Sequence, residues 1–413
     1  MKPRILFNAK DHPTLNSGYG IIGRNLLPYL GDKYGRENIL ILAPVYQKDC
    51  IGEWNGMKVL PGVTFDFGEN ILLDHYRSNG CNILLQVGDV WPLGIVPDLA
   101  AADQIDWVQW LPVDWLEMPK NIVNRILPAH KLVPFSKYGE NSLRQYGLNN
   151  VEPAIWVGLD VDLWKPQPRE ELPEMMRLLG FENDSFNLLI VAANQERKNI
   201  RGQLEAIRLF LQLNPDIPTR IYLHTQMKRD RDLCADIDEL GLQPYVVYPI
   251  QFIMETGGIK EEEMVMIFNC ADVLLNACLE GFGIPMTQAQ ACGVSVIYLL
   301  EGSGPELVQS GVGVPATANI TFPNQMTKPI PHPVAIANAL GILWEKRVQK
   351  GRPLRSQNAI DFVQKNLSWK NIAEQWFGVI ERVMEEKEKF CYDIPEAADW
   401  LRERAEWEVI LDG

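Results

Sequence analysis

What most constrains this chain is the spacing of its short, uniformly apolar runs. A first series comprises Ile5–Phe7, Ile39–Ala43, Ile83–Val87, Trp107–Leu111 and Lys131–Phe135. The pattern breaks in a proline- and acid-rich interval, Lys165–Glu174, and then resumes. The second series is Leu188–Ala192, Arg220–His224, Tyr245–Tyr248, Val273–Asn276 and Val294–Leu299. Runs that are apolar throughout, rather than alternating, read as strands buried on both faces. Helical periods lie between and after them: Leu204, Ile207 and Leu211 in one stretch, Ile372, Trp376, Ile380 and Val383 in another. Strands alternating with helices form parallel sheets with helices on their faces. Two series therefore predict an α/β chain of two doubly wound, Rossmann-like parallel-sheet domains, divided near residue 165.

Composition narrows the function classes. The formal charge is 39 − 53 = −14 over 413 residues, which disfavours bulk coating of a nucleic-acid backbone. No apolar run approaches the ~18 residues of a membrane span. The opening Met1-Lys2-Pro3-Arg4 leads into a segment too short and polar for a signal peptide. The seven cysteines (50, 81, 234, 270, 278, 292 and 391) contain no C-x-x-C pair, so neither a disulfide framework nor a zinc site is indicated. A cytoplasmic, acidic enzyme is expected. The run Glu385-Glu386-Lys387-Glu388-Lys389 reads as a solvated helix face.

Doubly wound sheets bind ligands beyond the carboxyl ends of their strands, so chemistry-bearing residues are sought there. Gly18-Tyr19-Gly20-Ile21-Ile22-Gly23 matches G-x-G-x-x-G, but ten residues separate it from Phe7. The second strand, moreover, ends without an acid. That context argues against a dinucleotide site and leaves a glycine-rich helix start whose N–H groups can approach a phosphate, or a bare tight turn. After Leu188–Ala192 comes Asn194-Gln195-Glu196-Arg197-Lys198-Asn199. Adjacent cations past a strand tip, at a helix start, suit a diphosphate; a plain surface pair is the alternative. A lysine so placed is expected to be exposed when nothing is bound. The sharpest segment is Asn276-Ala277-Cys278-Leu279-Glu280-Gly281-Phe282-Gly283-Ile284-Pro285, continuing through Gln288 to Gly293. Glu280 sits in a loop and Gln288, eight residues on, in the first turns of the next helix, so the two can straddle a sugar nucleotide.

In this segment the chain resembles retaining glycosyltransferases of the two-Rossmann-domain GT-B architecture, most closely family 4, whose signature reads E-G-F-G-[IL]-P. The resemblance extends to the Gly18/Gly20 loop, Phe135-Ser136-Lys137-Tyr138-Gly139, and Val157-Gly158-Leu159-Asp160 through Trp164-Lys165-Pro166. It also takes in Arg197-Lys198, Gly304-Pro305-Glu306 and Ser368-Trp369. It implies domains at residues 1–165 (acceptor side) and 166–384 (nucleotide-sugar side), with about 385–413 packing back on the first. The implied reaction moves a sugar, a hexose for preference, from a nucleoside-diphosphate sugar to an acceptor hydroxyl with retention. No metal or other cofactor is implied.

On that resemblance, Arg197, Lys198 and the Gly18–Gly20 amides neutralise the diphosphate. Glu280 holds the donor sugar, and Asn194, Gly281, Phe282, Gly283 and Ile284 border it. Gln288, standing where the family has Glu, meets the ribose; an amide accepts from one hydroxyl and donates to another. Pro249-Ile250-Gln251 borders the nucleobase. Asp114, after Trp107–Leu111, faces the anomeric carbon or the acceptor, with His130 next in line. The other histidines read as structural from their sequence positions, His75 on a helix or loop surface, with ligand contact the lesser alternative for His12 and His224 near strand ends. The alternatives are a nucleotide-sugar epimerase or hydrolase of the same fold, and a non-catalytic sugar-nucleotide-binding protein. The acceptor, the sugar and the base are not legible.

Overall fold

The computed structural model describes residues 2–44, 52–62, 68–256, 258–322, 325–351 and 353–392. The first sheet holds β1 (Ile5–Asn8), β2 (Ile39–Pro44), β3 (Gly52–Trp54), β4 (Met57–Gly62), β5 (Ile83–Val87), β6 (Trp107–Leu111) and β7 (Lys131–Pro134). Its seven strands lie in the order β3-β4-β2-β1-β5-β6-β7. All its pairings are parallel except β3–β4 at the edge. The second sheet holds β8 (Phe186–Val191), β9 (Thr219–His224), β10 (Val246–Val247), β11 (Val273–Asn276), β12 (Ser295–Leu299) and β13 (Gly311–Val314). It is parallel throughout, in the order β10-β9-β8-β11-β12-β13. A separate antiparallel hairpin, β14 (Ala316–Thr321) and β15 (Thr327–Pro331), follows it.

Every residue of β1, β5, β6 and β11 is buried, as helices on both faces require. In each sheet the strand order reverses once, between β1 and β5 and between β8 and β11. A crevice forms outside the carboxyl ends at such a reversal, because the connections leave to opposite faces there. Four strand tips thus converge on one cleft.

The last helix, Trp369–Tyr392, returns to the first domain. Its Trp376 ring packs edge-on against Trp110 of β6, with centroids 5.1 Å apart. Its polar face is exposed at Glu385 and Glu386, and it also makes ion pairs. Glu386 accepts from Lys131 Nζ and pairs with His130 Nε2, both at 2.8 Å, and Lys387 pairs with Asp106. The expected solvated face is thus seen at Glu385 and Glu386, and unlike charges on the first domain also meet this turn. Residues 393–413 lie outside the described ones, as do Cys50 and the side chain of Cys391. Among the described residues no helix is long and apolar enough to cross a membrane.

Candidate active site

The strand tips enclose a cavity of ≈ 840 Å³ between the two domains. Its first-domain wall carries Gly18 and Tyr19 after β1, Asp89 after β5 and Asp114 after β6. Its second-domain wall carries Arg197 and Lys198 after β8, His224 at the end of β9, and Glu280 through Ile284 with Gln288 after β11.

Gly18 opens the helix Gly18–Tyr34, and Ser17 caps it, its Oγ accepting from Gly20 N at 3.0 Å. The Gly20 amide is therefore engaged within the cap. The first-turn amides of Gly18 and Tyr19 are the ones left at the open helix end. Gly20 serves packing instead, since a Cβ there would sit 2.4 Å from Leu15 O. At Gly18 the nearest atom to a Cβ is Ile284 Cδ1 at 3.5 Å, so that face of the loop stays bare.

Arg197 and Lys198 occupy a 3₁₀ turn, Glu196–Lys198, and not the helix start itself. Asn199, in the left-handed region at φ 50°, separates that turn from the helix Ile200–Leu213. Lys198 is not exposed as the sequence suggested. Its Nζ donates to both Glu280 oxygens, at 2.6 and 2.7 Å, with the two side chains only 11% and 10% exposed. The reason is that Glu280 enters from β11, which neighbours β8 in the sheet. Burial alone would raise the Glu280 carboxyl, but the Lys198 and Arg197 cations outweigh it and hold the group below its usual range. Arg197 Nη1 donates to Asp114 Oδ2 at 2.9 Å, tying one domain to the other. Burial opposes the Arg197 charge, yet Asp114, Glu280 and Asp89 more than offset it, and its pKa is raised.

The loop after β11 is braced from below. Ser303 Oγ lies 2.7 Å from Phe282 O and 3.0 Å from Glu280 O, so its one proton holds the two carbonyls together. Gly281 lies directly against the first domain, where a Cβ would come 2.6 Å from Pro112 Cβ and 2.8 Å from Val113 N. Gly283 caps the helix Ile284–Ala291 in the left-handed region at φ 87°. Gln288 lies on that helix, 7% exposed, on the cavity wall. Glu306 stands outside the cavity and holds the domains together, accepting from Lys137 N at 2.9 Å at the start of the first-domain helix Lys137–Gln145.

Three candidates from the sequence stand off the wall: Gly20, whose amide the cap takes, Asn194 and Ile250. Asn194 Nδ2 donates to the carbonyls of Gln226 and Arg231 at 3.0 and 2.8 Å, so its amide is spent lacing two loops. Ile250 is 71% exposed and outside the cavity. The wall near it is made by His224, Met254, Ile259 and Met264. His130 pairs with Glu386 and Asp106, away from the cleft. His12 is bound to Thr14, its Nδ1 2.7 Å from Oγ1, and His75 Nε2 lies 2.9 Å from Pro61 O.

Sequence reasoning missed Asp89 and Tyr19. Tyr19 Oη donates to Asp89 Oδ2 at 3.0 Å. Burial, and then the Asp114 charge, push the Asp89 carboxyl above its usual range. The rule that selected Asp114, a carboxylate just past a buried strand, selects Asp89 equally well after Ile83–Val87.

Burial depresses the His224 imidazole to about 4, and its Nδ1 is buried without a hydrogen-bond partner. A histidine held neutral costs stability in acid. Below pH ~6.5 the unfolded chain takes up a proton that the folded one refuses until about 4. His224→Gln should remove a loss of about 2–3 kcal/mol that accrues as pH falls through that window. Melting temperatures of the two proteins at pH 7 and pH 4 check this; an unchanged difference between those pH values would contradict it.

Comparison with known proteins gives a consistent architecture. No protein-family model matches the chain. It is 25% identical over 214 residues to a D-inositol 3-phosphate glycosyltransferase from Thermobifida fusca (strain YX), covering 47% of this chain and 47% of the relative. The match thus spans about half the length of that relative. Sucrose-phosphate synthase from Thermosynechococcus elongatus superposes with a TM-score of 0.72 at 16% identity, over 94% of this chain and 100% of that one. Anabaena HepE, in complex with UDP-glucose, gives 0.66 at 16% identity, over 92% and 99%. The chain has the GT-B fold, two Rossmann-like domains facing across a cleft.

Proposed function

We propose that this chain is a glycosyltransferase that moves a sugar, a hexose for preference, from a nucleoside-diphosphate sugar to an acceptor hydroxyl with retention of configuration. The observation that carries the proposal is the pairing at the cleft. Two cations from one strand tip, Arg197 and Lys198, each meet a carboxylate at 2.6–2.9 Å, Asp114 from one domain and Glu280 from the other. A nucleoside-diphosphate sugar matches both halves of those pairs. Its diphosphate competes for the cations, and its sugar hydroxyls donate to the carboxylates. The name of the Thermobifida fusca relative supports glycosyl transfer, and the UDP-glucose complex of HepE supports this class of donor.

In the proposed step the bond from the anomeric carbon to the diphosphate oxygen breaks as the acceptor oxygen bonds to that carbon. The acceptor proton passes to the departing diphosphate, which faces the same side of the sugar; retention follows from that geometry. The transition state gathers negative charge on the leaving group, so preplaced cations and the open helix end at Gly18 and Tyr19 stabilise it most. Asp114 and Asp89, on the opposite wall, answer positive charge at the sugar ring and orient the acceptor. Glu280 grips the sugar and Gln288 the ribose. These roles use no metal. A cytoplasmic site of action belongs to the same proposal, supported by five unpaired cysteines among the described residues.

The test is acceptor dependence. With a matched nucleotide sugar, free nucleoside diphosphate should accumulate only when an acceptor is added, and the product should keep the donor's anomeric configuration. Release without acceptor would mark a hydrolase or epimerase, and inversion would overturn the stereochemical reading.

A further inference from the structure

The β14–β15 hairpin belongs in sequence to the second domain, between β13 and the helix Pro333–Lys350. Its outer strand is exposed from Thr317 to Thr321. Yet the hairpin is anchored in the other domain. Met326, at its turn, is 1% exposed and packs in the cluster that contains Leu111, Val113 and Trp115. Leu116 N donates to Thr327 O at 2.9 Å, just beyond Asp114. One residue further on, Lys328 is buried, and its Nζ donates to Asp114 Oδ2 at 2.7 Å.

The same Asp114 oxygen thus receives two cations, Arg197 from the cavity wall and Lys328 from behind it. A buried ammonium is costly unless a carboxylate meets it, and two cations on one oxygen are more than neutralisation requires. The excess has a use if one of them has other work. Arg197 faces the cavity and is drawn off by a diphosphate; Lys328 lies off the cavity wall and stays.

We propose that Lys328 is a positioning residue for transfer, delivered across the cleft by the β14–β15 hairpin to hold the Asp114 carboxylate in place while Arg197 engages the diphosphate. The inference rests on the reading of Asp114 given above. Asp89, Arg197 and Lys198 are the other charged groups beside the pair. None of them approaches from the hairpin side, so the task falls to Lys328.

Four variants of the full-length chain test it: Lys328→Met, Lys328→Arg, Asp114→Asn and the double Lys328→Met/Asp114→Asn. Lys328→Met should lower kcat about 10–100-fold while leaving donor KM and the affinity for nucleoside diphosphate within about twofold. Lys328→Arg should regain most of the loss. The double variant, which removes the buried Lys328–Asp114 charge pair together and leaves only the cavity-facing Arg197 without its carboxylate, guards against misfolding and should be no slower than Asp114→Asn alone, since both changes act through one group. A normal kcat in Lys328→Met beside a slow Asp114→Asn would overturn the inference and leave the proposed function standing. A Lys328 effect that adds in full to that of Asp114→Asn would overturn it too. Normal rates in both single variants would overturn the inference together with the role given to Asp114.

Discussion

Lys198→Met is expected to reduce transfer about 100–1000-fold, the cost of removing one preplaced group from a developing anion. It should also destabilise the protein, because it leaves the Glu280 carboxylate, 10% exposed, without its 2.6 Å partner. Breaking a buried pair in this way costs about 3–5 kcal/mol, and the Arg197 charge nearby places the expected value at the lower end. The two effects come apart in Lys198→Met/Glu280→Gln. That double variant removes both charges, so its thermal stability should return toward that of the wild type while its activity does not. Wild-type turnover in purified Lys198→Met would contradict the assignment. So would recovery of activity along with stability in the double variant.

The second large effect is expected from Gly281→Ala, a change of one methyl group. That methyl would lie 2.6 Å from Pro112 Cβ and 2.8 Å from Val113 N, well inside van der Waals contact. Both neighbours belong to the rigid exit of β6, so the second-domain loop must retreat. A displacement of about 1 Å between groups that act together can cost 10²-fold in rate. Here it separates Glu280 and Arg197 from Asp114. The nucleotide-binding groups of the second domain move as a unit, so nucleoside-diphosphate affinity should change less than kcat. Kinetics beside a binding titration decide the matter. A kcat within twofold of the wild type would show that the cleft does not depend on this contact.

How far the fold was legible follows from what each strand buries. β1, β2, β5, β6, β7, β8, β9, β11 and β12 coincide closely with the uniformly apolar runs, because helices cover both of their faces. β4 was not legible. Its MKVLPG is interrupted by the exposed Lys58 and carries Pro61 near its end. β13, GVGV, has too little apolar surface to read as a run, and β14 faces water along most of its length. The site followed the same division. Glu280, Arg197 and Asp114 stand just past apolar runs and could be found by that rule. The Lys198–Glu280 contact could not, because it depends on β8 and β11 being neighbours, and the order of strands is not written in their composition. Lys328 left no local signal at all. It lies on a hairpin whose anchor, Met326, finds its core in the other domain.

The proposed function stands on Arg197 and Lys198 as a diphosphate site for a nucleotide sugar. It is tested most directly by thermal unfolding of the wild type and of Arg197→Ala/Lys198→Met/Glu280→Gln against UDP, GDP, ADP and TDP and their sugars. Ligand at a hundredfold its dissociation constant stabilises the folded state by about 2.7 kcal/mol, a shift of several degrees. At least one nucleotide of the panel should raise the wild-type melting temperature by that amount, and the same nucleotide should leave the variant unmoved. A wild type indifferent to the whole panel, or a shift of equal size in the variant, would contradict it.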